Sequence, residues 1–336
     1  MAKASKIRND QFLRACRRES TDFTPVWLMR QAGRYMEEYR RIREKHGFLT
    51  MCKTPDIATE VTLQPVSRLG VDAAILFADI LLPLEGMGLN LEFAKNEGPV
   101  LHNPIATEKD VEALRVTRAE EATPFVLEAV RGVVKELKGA IPLIGFSGAP
   151  FTLASYAIEG GGSRNYVSTK TMMFSRPDLW DKLMRKISDV VTDYLIAQIH
   201  SGAQAVQLFD SWVGCLSPED YRQYVLPFSQ SVIDGLKAEN VPVIHFGTDS
   251  AMLLSSMREA GGDVIGVDWR INLDDAWRQI GYDRAIQGNL DPVVLFSNLG
   301  STQNHGRRPL VPKIIVLGGL IPINIGIIIT PTCTPL

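Results

Sequence analysis

Cysteine is scarce in this chain. Of 336 residues four are Cys, at Cys16, Cys52, Cys215 and Cys333, far apart and never as C-x-x-C. That spacing excludes a zinc ribbon and a disulfide framework, and fits scattered reduced thiols of an intracellular protein. A large excess of either charge is also missing, the formal net charge being −2. Without a broad basic footprint, nucleic acid is not an expected partner, and an anionic ligand must be held by a local group of Arg and Lys. The N-terminal residues include no apolar stretch of the signal-peptide kind. The uncharged run 314–329 spans 16 residues and includes Pro322, Asn324 and three glycines, short of the ~20 residues that a membrane-spanning helix needs. No membrane partner is therefore expected, and the cytoplasm is the expected compartment. No G-x-G-x-x-G follows the first apolar run and no G-x-x-x-x-G-K-[ST] occurs, so nucleotide-binding glycine signatures are missing too. Gly160-Gly-Gly-Ser163 lacks a phosphate-binding Lys and reads as a mobile loop.

What is present is an ordinary globular composition, 45% hydrophobic and 22% charged, enough for a sizeable core. The length suits two domains or one α/β barrel of roughly 250 residues with insertions. Short apolar or β-branched runs at 25–29, 72–77, 142–146, 205–209, 241–246, 264–269 and 284–287 alternate with amphipathic stretches. Among the latter, 177–200 repeats Leu179, Leu183, Ile187 and Val191 at helical spacing, and 249–259 ends at Gly261-Gly262. Seven strand–helix alternations predict a parallel sheet with helical crossovers, open or closed. Each run ends in polar groups: Arg30 and Arg34, Asp79, Ser147 onward to Tyr156, Asp210-Ser211, His245, Asp268 and Asn289. In a closed (β/α)8 TIM-type barrel the C-terminal strand ends share one active-site face. One composite site containing Arg30, Arg34 and Asp79 is therefore expected.

The segment Pro25-Val-Trp-Leu-Met-Arg-Gln-Ala-Gly-Arg-Tyr35 is the strongest single signal. Two arginines four apart, with Ala32-Gly33 between them, can offer two guanidinium forks and backbone N–H groups to one anion, and the planar fork matches a carboxylate. Arg40 to Lys45, diluted by Glu37, Glu38 and Glu44, read instead as a solvated helix face. Asp79 by itself reads as a helix cap, Tyr156 as packing and Ser211 as a loop hydroxyl.

Together with that segment, Phe77-Ala-Asp79-Ile-Leu, Gly145-Phe-Ser-Gly-Ala-Pro-Phe-Thr-Leu153, Tyr156, Glu159-Gly-Gly-Gly-Ser163, Gln207-Leu-Phe-Asp-Ser211 and Gly288-Asn-Leu-Asp-Pro292 follow one another in order. In this the chain resembles the uroporphyrinogen decarboxylase family over residues 1–296. The resemblance implies a distorted (β/α)8 barrel, usually a homodimer. It implies removal of the four acetate carboxyls of uroporphyrinogen III to give coproporphyrinogen III, in haem and chlorophyll synthesis, without metal or organic cofactor. It assigns Arg30, Gln31, Ala32, Gly33 and Arg34 to substrate carboxylates, Tyr156 and Ser211 to hydrogen bonds with substrate, and Asp79 to stabilising a cationic pyrrole, with Arg30 beside it as a catalytic group. The rival class is the zinc-dependent methyltransferases of the same superfamily, which carry His-x-Cys near the fifth strand. Here His245 is followed by Phe246 and Gly247, so no metal is expected and His245 reads as a wall histidine.

Beyond Phe296 the character changes, with no Asp or Glu after Asp291 and no aromatic after Phe296. Residues 297–336 form a divergent tail without the family's Asn-Leu-Gly-His-Gly strand, as from an altered frame or alternative sequence. Residues 314–322 are the candidate substitute strand, and Asn304-His305-Gly306 is an echo of the missing motif. A barrel without its proper last unit would leave the first and seventh strands with open edges. A less stable and weakly active enzyme, or an inactive porphyrinogen-binding remnant, is then the expectation.

Overall fold

All seven apolar runs become strands. In chain order these are β1 (Val26–Leu28), β2 (Ala74–Ile75), a hairpin of β3 (Leu91–Ala94) with β4 (Gly98–Leu101), then β5 (Leu143–Gly148), β6 (Ala205–Asp210), β7 (Val243–Gly247), β8 (Val264–Gly266), β9 (Ala285–Gly288) and β10 (Ile325–Ile329). The computed structural model describes residues 7–94, 98–293 and the strand Ile325–Ile329. Eight of the strands form one sheet in the order β1-β10-β9-β8-β7-β6-β5-β2. Neighbours from β2 through β5 to β9 are parallel. β10 is antiparallel to both β1 and β9, so those two run the same way.

The two end strands meet at Asp72. Its N–H donates to the Val26 carbonyl at 2.8 Å, and its Oδ2 accepts from the Val26 N–H at 2.8 Å. The sheet thus curls into a single barrel whose eighth unit is atypical. The expected open edges are not found, because β10 pairs with β1 on one side and β9 on the other. The strand that does this is 325–329, whereas 314–322 and Asn304-His305-Gly306 lie outside the described residues.

The barrel interior is wired by fully buried polar side chains that bond to one another across it. Trp27 Nε1 donates to Gln287 Oε1 at 3.1 Å, and Gln287 Nε2 donates to Gln207 Oε1 at 3.0 Å, linking β1, β9 and β6. β2 is only two residues long because Phe77 leaves the ladder and donates its N–H to Thr62 Oγ1 at 2.8 Å. Ile75 is the partner of Ile144, so Phe146 faces the place where β2 has ended. There Gln198, from the helix Pro177–His200, takes over: its Oε1 accepts from the Phe146 N–H at 3.0 Å and its Nε2 donates to the Phe146 carbonyl at 2.9 Å. An orphaned buried backbone group costs about 1–3 kcal/mol. Gln198→Leu should therefore lose on the order of 3 kcal/mol in a urea titration, and an unchanged midpoint would mean that the amide is not what closes this gap.

The helix Pro177–His200 buries Leu179, Leu183, Ile187 and Val191, as their spacing predicts. The helix expected over 249–259 starts later, at Leu254–Ala260. Asp249 adopts a left-handed φ of 55° and gives its N–H to Asp268 Oδ2 at 2.7 Å, and this connection absorbs the first turn. The hairpin β3–β4 has no counterpart among the expected elements. It pins the glycine run that reads as a mobile loop: Val100 bridges Gly161, and the Leu101 N–H donates to the Gly160 carbonyl at 2.8 Å.

Candidate active site

The turn after β1 presents a set of donors. Gln31 is buried and its side chain is spent on the wall: Oε1 lies 3.4 Å from the Leu28 N–H and Nε2 lies 3.5 Å from the Ala73 carbonyl. The Tyr35 hydroxyl caps the Gln31 carbonyl, and Arg40 donates to the Arg34 carbonyl at 2.8 Å. These bonds fix the turn and use its carbonyls. Among the described residues, the N–H groups of Ala32, Gly33 and Arg34 donate to no protein acceptor, and the guanidinium groups of Arg30 and Arg34 enter no hydrogen bond or ion pair. Both arginines are exposed, Gly33 is buried and Ala32 half-buried. By contrast Arg41 pairs with Glu37 at 2.6 Å, one turn apart in the helix Glu37–Lys45, as a solvated helix face should.

Asp79 lies on the connection after β2, anchored by the Phe77–Thr62 bond and by its own Oδ1, which accepts from the Leu81 N–H at 2.9 Å. The helix that follows, Leu82–Gly86, has Leu81 at its N-cap and no side-chain cap bond, so Asp79 is not the helix cap that its residue type suggests. Its carboxyl is pushed up to about 6, chiefly by burial and against the Leu81 N–H and the Arg30 charge, both of which favour the anion. Tyr156, half-buried on the helix Pro150–Glu159, is raised to about 12 by burial and by the Asp79 charge, with Arg30 opposing. Arg30, Asp79 and Tyr156 thus act on one another and form one group. The Arg34 charge bears instead on Tyr39, as a minor influence beside burial. Cys52 and Tyr194, both buried, are raised first by burial and then by the charges around them, that of Asp79 included.

Ser211 follows β6 directly and joins the group through its neighbour. The rings of Trp212 and Tyr156 lie 3.8 Å apart at 32°. The Ser211 carbonyl accepts from the Thr248 hydroxyl, so the loops after β6 and β7 are fastened together. Gly214 makes that fit possible, since a Cβ there would lie 2.4 Å from Asp249 Cβ and 2.7 Å from two carbonyl oxygens. Trp212, Thr152 and Gly214 are residues that sequence reasoning missed. Only Thr152, four residues before Tyr156 on one helix face, carried a signal that spacing could have used.

Asp268 organises the neighbouring strand ends. It accepts from the Asp249 N–H and, at 3.0 Å, from the Arg270 N–H, while Asn289 Nδ2 donates to its carbonyl at 3.2 Å. His245 is buried in the wall, with Asp210 Oδ2 3.5 Å from its Nε2. Among the described residues no three His, Cys, Asp or Glu side chains converge as metal ligands, and no helix is long and apolar enough to cross a membrane.

A family model described as uroporphyrinogen decarboxylase (URO-D) matches residues 7–314, past the Phe296 limit of the motif resemblance. The uroporphyrinogen decarboxylase of Carboxydothermus hydrogenoformans is 63% identical over 289 residues, 86% of this chain and 83% of that protein. That of Sorangium cellulosum is 59% identical over 302 residues, 90% of this chain and 86% of that protein. Among solved structures, a methyltransferase from Methanosarcina mazei matches with a TM-score of 0.72 over 85% of this chain and 84% of that one, at 20% sequence identity, a likeness of fold alone.

Proposed function

The chain belongs to the uroporphyrinogen decarboxylase family, and from that premise we propose that it removes the four acetate carboxyls of uroporphyrinogen III to give coproporphyrinogen III, with no metal or organic cofactor. The observation that carries this reading is Arg30, whose guanidinium enters no hydrogen bond or ion pair among the described residues and whose charge bears on both Asp79 and Tyr156. The substrate is an octacarboxylate, and Arg30 and Arg34, with the N–H groups of Ala32, Gly33 and Arg34 that donate to no acceptor among the described residues, suit its side chains. Gln31 contributes by holding the turn.

Decarboxylation leaves an electron pair on a methylene, so it needs a sink. Protonation of a pyrrole carbon turns the ring into an iminium-like cation. The C–C bond to the carboxylate then breaks, carbon dioxide leaves, and the pair flows into the ring. A proton added to the exocyclic carbon gives the methyl group, and loss of the first proton restores the pyrrole, for one proton consumed per acetate. Asp79, mostly ionised at neutral pH, stabilises the cation from beside the pyrrole N–H groups by fixed electrostatics. Tyr156 and Ser211 hold substrate side chains. A homodimer in the cytoplasm completes this reading, and sedimentation of the purified chain checks the dimer.

The test is an anaerobic assay with uroporphyrinogen III in which products are resolved by carboxyl number. Four-carboxyl product is expected, and Arg30→Ala should lower kcat/KM roughly 100-fold by removing charge-assisted bonds of about 1.5–3 kcal/mol each. Substrate binding that Arg30→Ala abolishes, without any product from the parent chain, would establish the inactive binder instead.

A further inference from the structure

The buried Asp210–His245 pair has no part in the decarboxylation chemistry above, yet it is expensive to bury. Both side chains are 0% exposed. A carboxylate in such a place is retained only where partners hold it. Neither ring nitrogen of His245 enters a hydrogen bond among the described residues, which leaves the 3.5 Å approach to Asp210 Oδ2 as its polar contact. The other oxygen, Asp210 Oδ1, accepts from Thr152 Oγ1 at 3.3 Å. The same Thr152 oxygen accepts from the Trp212 N–H at 3.4 Å.

One hydroxyl therefore grips the chain on both sides of Ser211: the Asp210 side chain before it and the Trp212 backbone after it. Thr152 lies one helical turn from Tyr156, whose ring is stacked on Trp212 at 3.8 Å. The Ser211 carbonyl is taken by Thr248 from the loop after β7, the strand that carries His245. The contacts run in an unbroken chain from His245 to Asp210, Thr152, Trp212 and Tyr156.

We propose that His245, Asp210 and Thr152 are positioning residues that fix the distance and direction between the Ser211 hydroxyl and the Tyr156 phenol. The proposal rests on the reading that these two groups bind substrate. Thr152→Val, which keeps the shape and removes the hydroxyl, should lower kcat/KM roughly 10- to 100-fold, mostly through KM. Thr152→Ser should restore it to within about twofold, because a serine hydroxyl can make both bonds. In a Ser211→Ala or Tyr156→Phe background the Thr152→Val loss should shrink to about twofold or less, since residues acting through one another are not additive. His245→Phe should give the same KM-weighted loss and the same non-additivity.

Thr152→Val with parent kinetics, or a loss that multiplies unchanged in both backgrounds, overturns the proposal, whatever the folding of His245→Phe. If Ser211→Ala and Tyr156→Phe each keep parent kinetics, the assignment of substrate contacts fails. If they lose activity and Thr152→Val does not, only the positioning role fails.

Discussion

Asp79→Asn should give a protein that is more stable than the parent at pH 8 and almost without activity. The carboxyl is raised from 3.8 to about 6, first by burial, so folding favours its protonated form. The stabilising contribution of that form is complete below about pH 4, and it is lost as pH rises through 6. Above pH 6 the fold carries a carboxylate that it holds poorly. The shift corresponds to at most about 3 kcal/mol, less because the side chain keeps part of its contact with solvent. Asn is neutral throughout and can still accept from the Leu81 N–H through its carbonyl oxygen. A gain of about 1–2 kcal/mol, or roughly 1–3 °C in Tm at pH 8, should shrink towards zero at pH 4. Activity should fall about 1000-fold at pH 8, because fixed negative charge is what the cationic ring needs, and the gap to the parent should narrow towards pH 4, where the parent's carboxyl is itself protonated. In the parent, kcat/KM should decline as pH falls below 6. Calorimetry at the two pH values and a pH–rate profile check both halves. A Tm difference that does not depend on pH would mean that Asp79 is not a strained carboxylate, and a variant with parent activity would remove it from the chemistry.

The pattern of apolar runs is enough to place seven strands, because burial and strand alternation are written locally in composition. Other features were not legible, each for a physical reason. The hairpin β3–β4 is short and half-exposed, so its sequence does not alternate strongly. The late start of the helix Leu254–Ala260 depends on Asp268 taking the Asp249 N–H from another loop, a contact with no local trace. Gln31 falls within the strongest motif, yet its side chain supports the turn, and motif order cannot distinguish a residue that touches a ligand from one that aims its neighbour. The unequal placing of Arg30 and Arg34 is of the same kind. Arg30 acts on the Asp79–Tyr156 group and Arg34 on Tyr39, although four-residue spacing suggested one shared anion. The tail was the least legible, because an uncharged β-branched run predicts a strand without predicting its register or direction.

Ending the chain at residue 323 should therefore do more damage than any single substitution considered above. The deletion removes β10, whose register joins Val26, Trp27 and Leu28 to Ile327, Gly326 and Ile325, and Gly288, Gln287 and Ile286 to Ile327, Ile328 and Ile329. Each ladder bond contributes about 1 kcal/mol, and both freed strands would become open edges, templates for pairing with other chains. A Tm loss of more than about 10 °C is expected, with concentration-dependent aggregation. The effect should reach the chemistry, because Arg30 follows β1 by two residues and Trp27 is tied through Gln287 to β6. A small misplacement of a binding group costs on the order of 100-fold, so kcat/KM should fall at least that far in whatever fraction stays soluble. Ile327→Pro in the full-length chain separates pairing from mere length. It removes a donor at the one residue that pairs with both neighbours and should reproduce most of the Tm loss, about 3 kcal/mol or more. If both variants melt and turn over like the parent, β10 adds nothing to the barrel, and the tail is no substitute for the family's last strand.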